Sequence, residues 1–515
     1  MGVWQEQVGS GILEPKRTFV LGTTRNDTGT YITLTRYALA GGAAEVSVTW
    51  PPTPTNDEYV GTLNEAKAMV VPVVPQQTTA DNGRIYVAGT AEAGLATTDI
   101  VVLCYDFNLN LKWMRTYDYS PNPIFYGDDV PVAITTDQTG DPNYEGIEYS
   151  FVAVLGSSKG LDTGKDFVTL CYRSSDGCPL MPAKRLSSNG DHDDVPVDVV
   201  VGIATDPISQ QGVPSIFVTG ALPAAGNGTL PWFYTTAYTI PSTECLTAGQ
   251  GNVALHWPRL FRGADTTNLP PNYVGVECLP ARMKYVKGML YLAGSALPIG
   301  FDITASRDMV YWVYLPTSPT TFPPASFDTW DAGNVLGEDV VTDLDVIFTG
   351  GGTFAAMTGW SRVGSTYKIA TMMYNGISHG RIWDIGAIWD RQDGSGDDRG
   401  VRLQFIEASN EIANSACNLY VTGRSTKAGV GADYVYLKYD AIGTGANKGT
   451  AWTFAQTPFY NNATVNGNDI PIRLFAQHSQ ALGQGQSRFL IHTGTSAGGS
   501  SADDWATQFI IETRP

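Results

Sequence analysis

An all-β fold made of eight copies of one four-stranded sheet is the prediction, and three observations carry it. An apolar pair, a small or apolar residue and a glycine occur first as Phe19-Val20-Leu21-Gly22. The pattern returns through Tyr86-Val87-Ala88-Gly89 and Ala153-Val154-Leu155-Gly156 to Ile491-His492-Thr493-Gly494, with glycines 67, 67, 64, 74, 65, 64 and 71 residues apart. A segment rich in Val, Ile, Thr and Tyr follows each copy and closes on Tyr in seven of the eight. Next comes a tryptophan: Trp50, Trp113, Trp257, Trp330, Trp383 and Trp452. Val/Ile/Thr/Tyr segments with period two are strands, and no stretch has helical periodicity. Self-similarity at a fixed period signals a repeat architecture.

Each repeat reads as four strands. The first follows an acidic turn, as in Asp128-Asp129-Val130-Pro131, Asp193-Asp194-Val195-Pro196, Glu338-Asp339-Val340, Asp397-Asp398-Arg399 and Asn468-Asp469-Ile470-Pro471. Proline is tolerated near a strand start. The second strand is the apolar pair running into glycine, where a bulge or a close backbone approach is expected. The third opens on Asp in five repeats (Asp99, Asp166, Asp308, Asp433, Asp504) and alternates up to its closing aromatic residue. The fourth carries the tryptophan, which the third repeat lacks.

The eighth repeat has room for a third strand but not a fourth. Trp4 in Val3-Trp4-Gln5 has the spacing of the missing tryptophan strand when counted through the chain ends. The expectation is an eight-bladed β-propeller in one domain, with the N-terminal strand completing the last blade and closing the ring.

Bulk composition narrows the function classes. Net charge is −18, and only 16% of residues are charged. A nucleic-acid partner needs basic surface, so none is expected. No apolar run reaches the length of a membrane helix, so no membrane insertion is expected. The start, 1–6, has no basic and apolar signal sequence. Richness in Thr, Tyr and Gly with little Lys and Glu favours a mature extracellular or cell-surface protein. Six cysteines permit three disulfides. Cys171 and Cys178 flank Asp176-Gly177, so a local bridge there is open.

The pattern D-D-x-P-x … G-x-(Y/F)-V-x-G-(T/S) … D-(Y/F)-x-x-x-x-Y … W resembles the bacterial SBBP-type β-propeller repeat. Its clearest copies are 127–172 and 419–452. The resemblance covers nearly the whole chain and implies the fold; it implies little about activity.

The acidic turns are the first candidate site. Asp128, Asp129, Asp193, Asp194, Asp339, Asp397, Asp398 and Asp469 recur at one place per repeat, and clustered carboxylates hold hard cations such as Ca²⁺. The competing reading is that each Asp accepts turn or neighbouring-strand N–H groups. The Asp residues opening strand three read the same way. Repetition disfavours catalysis, which needs one site. His192, within Asp191-His192-Asp193-Asp194, stands at the acidic face as a candidate base or ligand. Trp232 and Phe233 replace the usual Asp and form a candidate ligand surface. Gly156-Ser157-Ser158-Lys159-Gly160 and Gly494-Thr495-Ser496-Ala497-Gly498 match G-x-S-x-G but lack the following helix of a nucleophile elbow. Long insertions at 241–256, 263–273 and 315–327 break the repeat and are the candidate recognition loops.

The resulting expectation is a non-catalytic binding or scaffolding module for a protein or polysaccharide. A hydrolase or lyase at the channel mouth, and a subunit of a filament, sheath or virion, are the alternatives.

Overall fold

Among its described residues the computed structural model has eight antiparallel sheets; seven hold four strands or more and the last holds three. The described residues are 2–8, 12–27, 29–38, 44–51, 63–72, 83–92, 97–119, 127–137, 151–160, 163–188, 192–205, 212–223, 231–240, 245 and 256–260. They continue with 278–297, 307–316, 326–331, 337–349, 352–376, 382, 387–389, 397–407, 417–427, 431–440, 451–453, 459–460, 470–479, 487–497 and 503–513. Two compact units divide the chain: Met1–Arg262 with Pro316–Thr321, and Gly263–Leu315 with Phe322–Pro515.

The first unit holds sheets one to four. Sheet one is β1 (Gly2–Val8), β2 (Ile12–Asn26), β3 (Gly29–Ala38) and β4 (Ala44–Trp50). Sheet two is β5 (Glu65–Val70), β6 (Ile85–Glu92), β7 (Thr98–Tyr105) and β8 (Leu111–Tyr117). Sheet three is β9 (Asp129–Thr136), β10 (Phe151–Lys159), β11 (Lys165–Arg173) and β12 (Lys184–Leu186). Sheet four is β13 (Val195–Thr205), β14 (Gly212–Pro223), β15 (Pro231–Thr239) and β16 (His256–Leu260).

The second unit holds the other four. Sheet five is β17 (Cys278–Val286), β18 (Met289–Ala296), β19 (Asp308–Tyr314) and β20 (Ser326–Trp330). Sheet six is β21 (Asp339–Thr349), β22 (Gly352–Val363), β23 (Thr366–Asn375) and β24 (Ala387–Trp389). Sheet seven is β25 (Asp398–Glu407), β26 (Cys417–Lys427), β27 (Gly431–Asp440) and β28 (Ala451–Thr453), with β29 (Phe459–Tyr460) also on β27. Sheet eight is β30 (Ile470–Ser479), β31 (Ser487–Ala497) and β32 (Asp503–Thr513). From sheet two on, the first strands of consecutive sheets within each unit are neighbours: β5 by β9 by β13, and β17 by β21 by β25 by β30.

The repeat glycine has a specific cause. In sheets two to eight the first strand skips one residue just after the partner of that glycine, as at Pro131↔Gly156 followed by Ala133↔Leu155. The bulge turns the preceding carbonyl onto the glycine Cα. A Cβ would lie 2.5 Å from Glu65 O at Gly89, 2.3 Å from Val195 O at Gly220 and 1.8 Å from Val340 O at Gly359. Pro131, Pro196, Pro280 and Pro471 occupy the residue beside the bulge, where a lost ladder donor is tolerated.

The third strands do not alternate. Every residue of β7 and of β19 is buried. Neighbouring sheets cover both faces, so both faces are apolar. Phe151, Leu155 and Phe167 of sheet three pack with Val199, Val218 and Tyr234 of sheet four. Tyr311 and Tyr374 stack across sheets five and six with centroids 4.1 Å apart. Aromatic contacts of this kind add to the large area each ring buries.

Two expectations about elements are corrected. The strand with Trp4 does not complete the last sheet. It pairs with β2 over Gly2↔Phe19 to Val8↔Ile12 and supplies the first strand of sheet one. Only Gly9-Ser10-Gly11 separates the two segments in sequence, so local pairing avoids the entropy of a chain-length closure. The tryptophans also do not share one position. Trp50, Trp330 and Trp389 face the second residue of the third-strand motif, Ile32, Met309 and Ile369. Trp113, Trp257 and Trp452 face its penultimate residue, Cys104, Ala237 and Lys438. Sheet six therefore uses Trp389; Trp383 lies outside the described residues.

Candidate functional site

The two residues of each acidic turn do different work. The first is a backbone latch. Asp128 Oδ1 accepts the N–H and hydroxyl of Thr98, at 3.2 and 3.3 Å, where strand three of the preceding sheet begins. Asp193 Oδ1 accepts the Lys165 N–H at 3.0 Å in the equivalent place. Asp397 pairs instead with Arg399 at 2.9 Å and Arg424 at 3.5 Å. Asp128 and Asp193 thus accept neighbouring-strand N–H groups, Asp397 forms ion pairs, and none of the three joins a carboxylate group among the described residues. The second residue is buried: Asp129, Asp194, Asp339 and Asp398 are at most 2% exposed. Its own N–H continues the latch, from Asp194 to Lys165 O at 2.6 Å and from Asp339 to Arg307 O at 2.7 Å. Asp469 lies outside the described residues.

This latch draws the buried carboxylate against the Asp that opens strand three of the preceding sheet. At the junction of sheets two and three, Asp99, Asp118 and Asp129 each bring an oxygen within 4.8 Å of the others. At the junction of sheets five and six, Asp308, Asp331 and Asp339 do the same. The three repeat positions are identical: the start of strand three, the residue just after strand four and the start of the next sheet. In both groups the middle residue is exposed and the other two are buried. Tyr119 N–H donates to Asp129 Oδ2 at 2.7 Å, while Asp129 Oδ1 is buried with no hydrogen-bond partner. Burial first, then the Asp118 and Asp129 charges, push the Asp99 carboxyl up to about 7. Burial pushes Asp129 up to about 6 against the Ser158 and Tyr119 hydrogen bonds that favour its charge, and it also raises Asp118.

The junction of sheets three and four carries the same two buried positions, Asp166 and Asp194, but Ser187 follows strand four, and the next N–H, of Ser188, donates to Asp194 Oδ2. A protein cation stands there. The Arg185 guanidinium, brought in by β12, pairs with Asp166 and donates to Ser158 Oγ at 2.9 Å. It also lies 3.5 Å over the Tyr119 ring. Asp166 Oδ1 and Asp194 Oδ1 have no partner. Burial, with the Asp166 and Asp193 charges, raises Asp194 to about 6.

A second group of charges lies on the first strands. Just after the bulge, sheets two and three have Ala68 and Ala133, whereas sheets four to eight have Asp198, Arg282, Asp343, Arg402 and Arg473. Arg282 Nε lies 3.0 Å from Asp343 Oδ1, and Leu403 N–H donates to Asp343 Oδ2 at 3.0 Å. Two residues on, Lys284 Nζ is 3.4 Å from Asp345 Oδ1 and Phe405 N–H donates to Asp345 Oδ2 at 2.9 Å. Burial disfavours the charge on Asp343, but Arg282 and Arg402 outweigh it and hold the carboxyl below its ordinary range. At Asp345 burial prevails over Lys284 and the carboxyl is raised.

Sequence reasoning missed Asp118 and Asp331, and it missed this charged row. The signals were an Asp directly after the tryptophan strand, and charges on strand one where the second and third repeats have alanine.

The remaining candidates separate. His192 is half-buried in the turn before β13, with its carbonyl packed on Gly164, and it joins neither carboxylate group. Phe233 is fully buried, so it presents no platform to a ligand. The Trp232 side chain lies outside the description, as do residues 263–273 and most of 241–256 and 315–327. Cys178 bonds Cys245, not Cys171, which like Cys104 and Cys278 is buried and outside any disulfide.

No known family and no curated protein matches the sequence. Among solved structures, polysaccharide lyase Uly1 aligns at 11% identity over 96% of this chain and 88% of its own, with a TM-score of 0.37. The WD40 domain of SCAP from fission yeast aligns at 8% identity over 96% and 87%, with a TM-score of 0.29. The fission yeast SREBP-SCAP binding domains align at 10% over 68% and 70%, with a TM-score of 0.27. At these scores the likenesses assign this chain no activity.

Proposed function

We propose that the chain is a non-catalytic binding and scaffolding module whose eight sheets are the blades of a propeller. It works outside the cell or at its surface and engages another protein or a polysaccharide through loops between strands. One observation carries this reading. The carboxylates whose pKa burial raises recur at equivalent positions in successive junctions, tied to the backbone latches that join the sheets. Groups copied from junction to junction belong to the scaffold, since a reaction centre needs one convergent set.

The charged row on β17, β21 and β25 favours a second reading, a hydrolase or lyase. Asp345, raised and beside Lys284, is the group there with acid–base character. Against it, each carboxylate already accepts a backbone N–H and faces a cation. The test is to incubate the purified chain with neutral and anionic polysaccharides, following retention by affinity electrophoresis and cleavage by reducing ends and unsaturated-product absorbance. Retention without cleavage is expected. Cleavage that Asp345→Asn abolishes overturns the non-catalytic reading in favour of the enzyme.

A further inference from the structure

We infer that Asp99, Asp118 and Asp129 bind one Ca²⁺ between sheets two and three, and that Asp308, Asp331 and Asp339 bind a second between sheets five and six. The inference stands apart from the choice of macromolecular ligand.

Three carboxylate oxygens within 4.8 Å of one another match the ligand separations around a single Ca²⁺, whose oxygens lie at about 2.3–2.6 Å from the ion. The group contains only carboxylates and lacks His and Cys, which selects a hard cation over zinc or copper. Ca²⁺ tolerates irregular coordination completed by water, and the exposed Asp118 and Asp331 leave a solvent side for it, whereas Mg²⁺ demands a near-octahedral shell.

Two observations beyond the clustering point to a cation. First, Asp129 is 1% exposed, and its Oδ1 has no hydrogen-bond partner. A buried oxygen in that state is costly unless something satisfies it. Second, the third junction holds a protein cation where the middle carboxylate is missing, although Asp194 Oδ1 there is also without a hydrogen-bond partner. There the middle Asp is replaced by Ser187, and Arg185 brings a guanidinium to Asp166, the counterpart of Asp99. One junction thus carries two carboxylates with a built-in cation, and two junctions carry three carboxylates. The exchange of a third carboxylate for an arginine is what charge balance requires if the other junctions take a metal from solution.

The test uses the full chain, stripped with chelator and titrated calorimetrically with CaCl₂ to about 10 mM, above the ~0.1–1 mM range of weak extracellular Ca²⁺ sites. Saturable binding and a higher thermal midpoint are expected. Asp118→Ala and Asp331→Ala alter exposed side chains, so both variants should fold with unchanged metal-free midpoints. Each should lose one equivalent of Ca²⁺, and the double variant both. Absence of saturable heat and of any midpoint shift overturns the inference. So does an unchanged stoichiometry in the double variant, which would move the binding to other carboxylates.

Discussion

Gly359→Ala isolates the link between the bulge and the repeat glycine. An added Cβ would sit 1.8 Å from Val340 O, 2.8 Å from Val340 C and 3.0 Å from Val341 Cα. All three atoms are backbone, so no rotamer change relieves the clash. Strand β21 must move away from β22 by more than about 1 Å to restore ordinary contact, and one or two ladder hydrogen bonds of about 1 kcal/mol each are lost with it. With overpacking of about 1–3 kcal/mol, the expected cost is roughly 3 kcal/mol. For a cooperative unit of this size that lowers the thermal midpoint by about 6–12 °C. Gly364→Ala is the control. Its φ of +68° strains alanine, but nothing lies within 4 Å of the new Cβ. About 1 kcal/mol, or 2–4 °C, is expected there. Scanning calorimetry reads both. Equal midpoints for the two variants would refute the claim that the bulge carbonyl, not backbone conformation, demands the glycine.

Three other outcomes are expected. Arg185→Ala leaves Asp166 buried without its cation and should destabilise the chain by about 3 kcal/mol or more in denaturant titration; a loss below 1 kcal/mol would mean the pair is solvated. Non-reducing peptide mapping should recover Cys178 joined to Cys245, and Cys178→Ser should cost about 4 kcal/mol for a loop of 67 residues. Recovery of a Cys171–Cys178 peptide would contradict the connectivity. Asp194, raised to about 6 among Asp166, Asp193 and the Ser188 N–H, contributes stability below pH 4 that is lost as pH rises through 6. The midpoint of Asp194→Asn relative to the parent chain should therefore climb between pH 4 and 7; parallel profiles would refute the assignment.

The fold was legible where every repeat says the same thing. The glycine with its apolar pair, the third strand with its opening Asp and closing Tyr, and the acidic turn each survive as a strand or a latch. The failures have physical causes. Alternation in strand three was misread because β7 and β19 are covered on both faces, a property of neighbouring sheets that no single strand encodes. The N-terminal segment was assigned to ring closure by spacing, whereas Gly9-Ser10-Gly11 offered a nearer partner in β2. For the candidate site, the periodic Asp129 and Asp339 and the strand-opening Asp99 and Asp308 were visible, but Asp118, Asp331 and the meeting of the three were not. Asp99 and Asp118 come from the preceding sheet, and only the turn's backbone latch brings them close. The reduction of eight turn carboxylates to the buried member of each pair likewise depends on which one faces the junction.

The central claim is that the repeated carboxylates hold cations as part of the scaffold. Crystals of the chain soaked in a lanthanide, a Ca²⁺ substitute with strong anomalous scattering, test it most directly. The account predicts anomalous peaks at Asp99/Asp118/Asp129 and at Asp308/Asp331/Asp339, and none beside Asp166, where Arg185 stands. Bare carboxylates at both three-Asp junctions, or an ion bound beside Arg185 as strongly as at the other two, would contradict it.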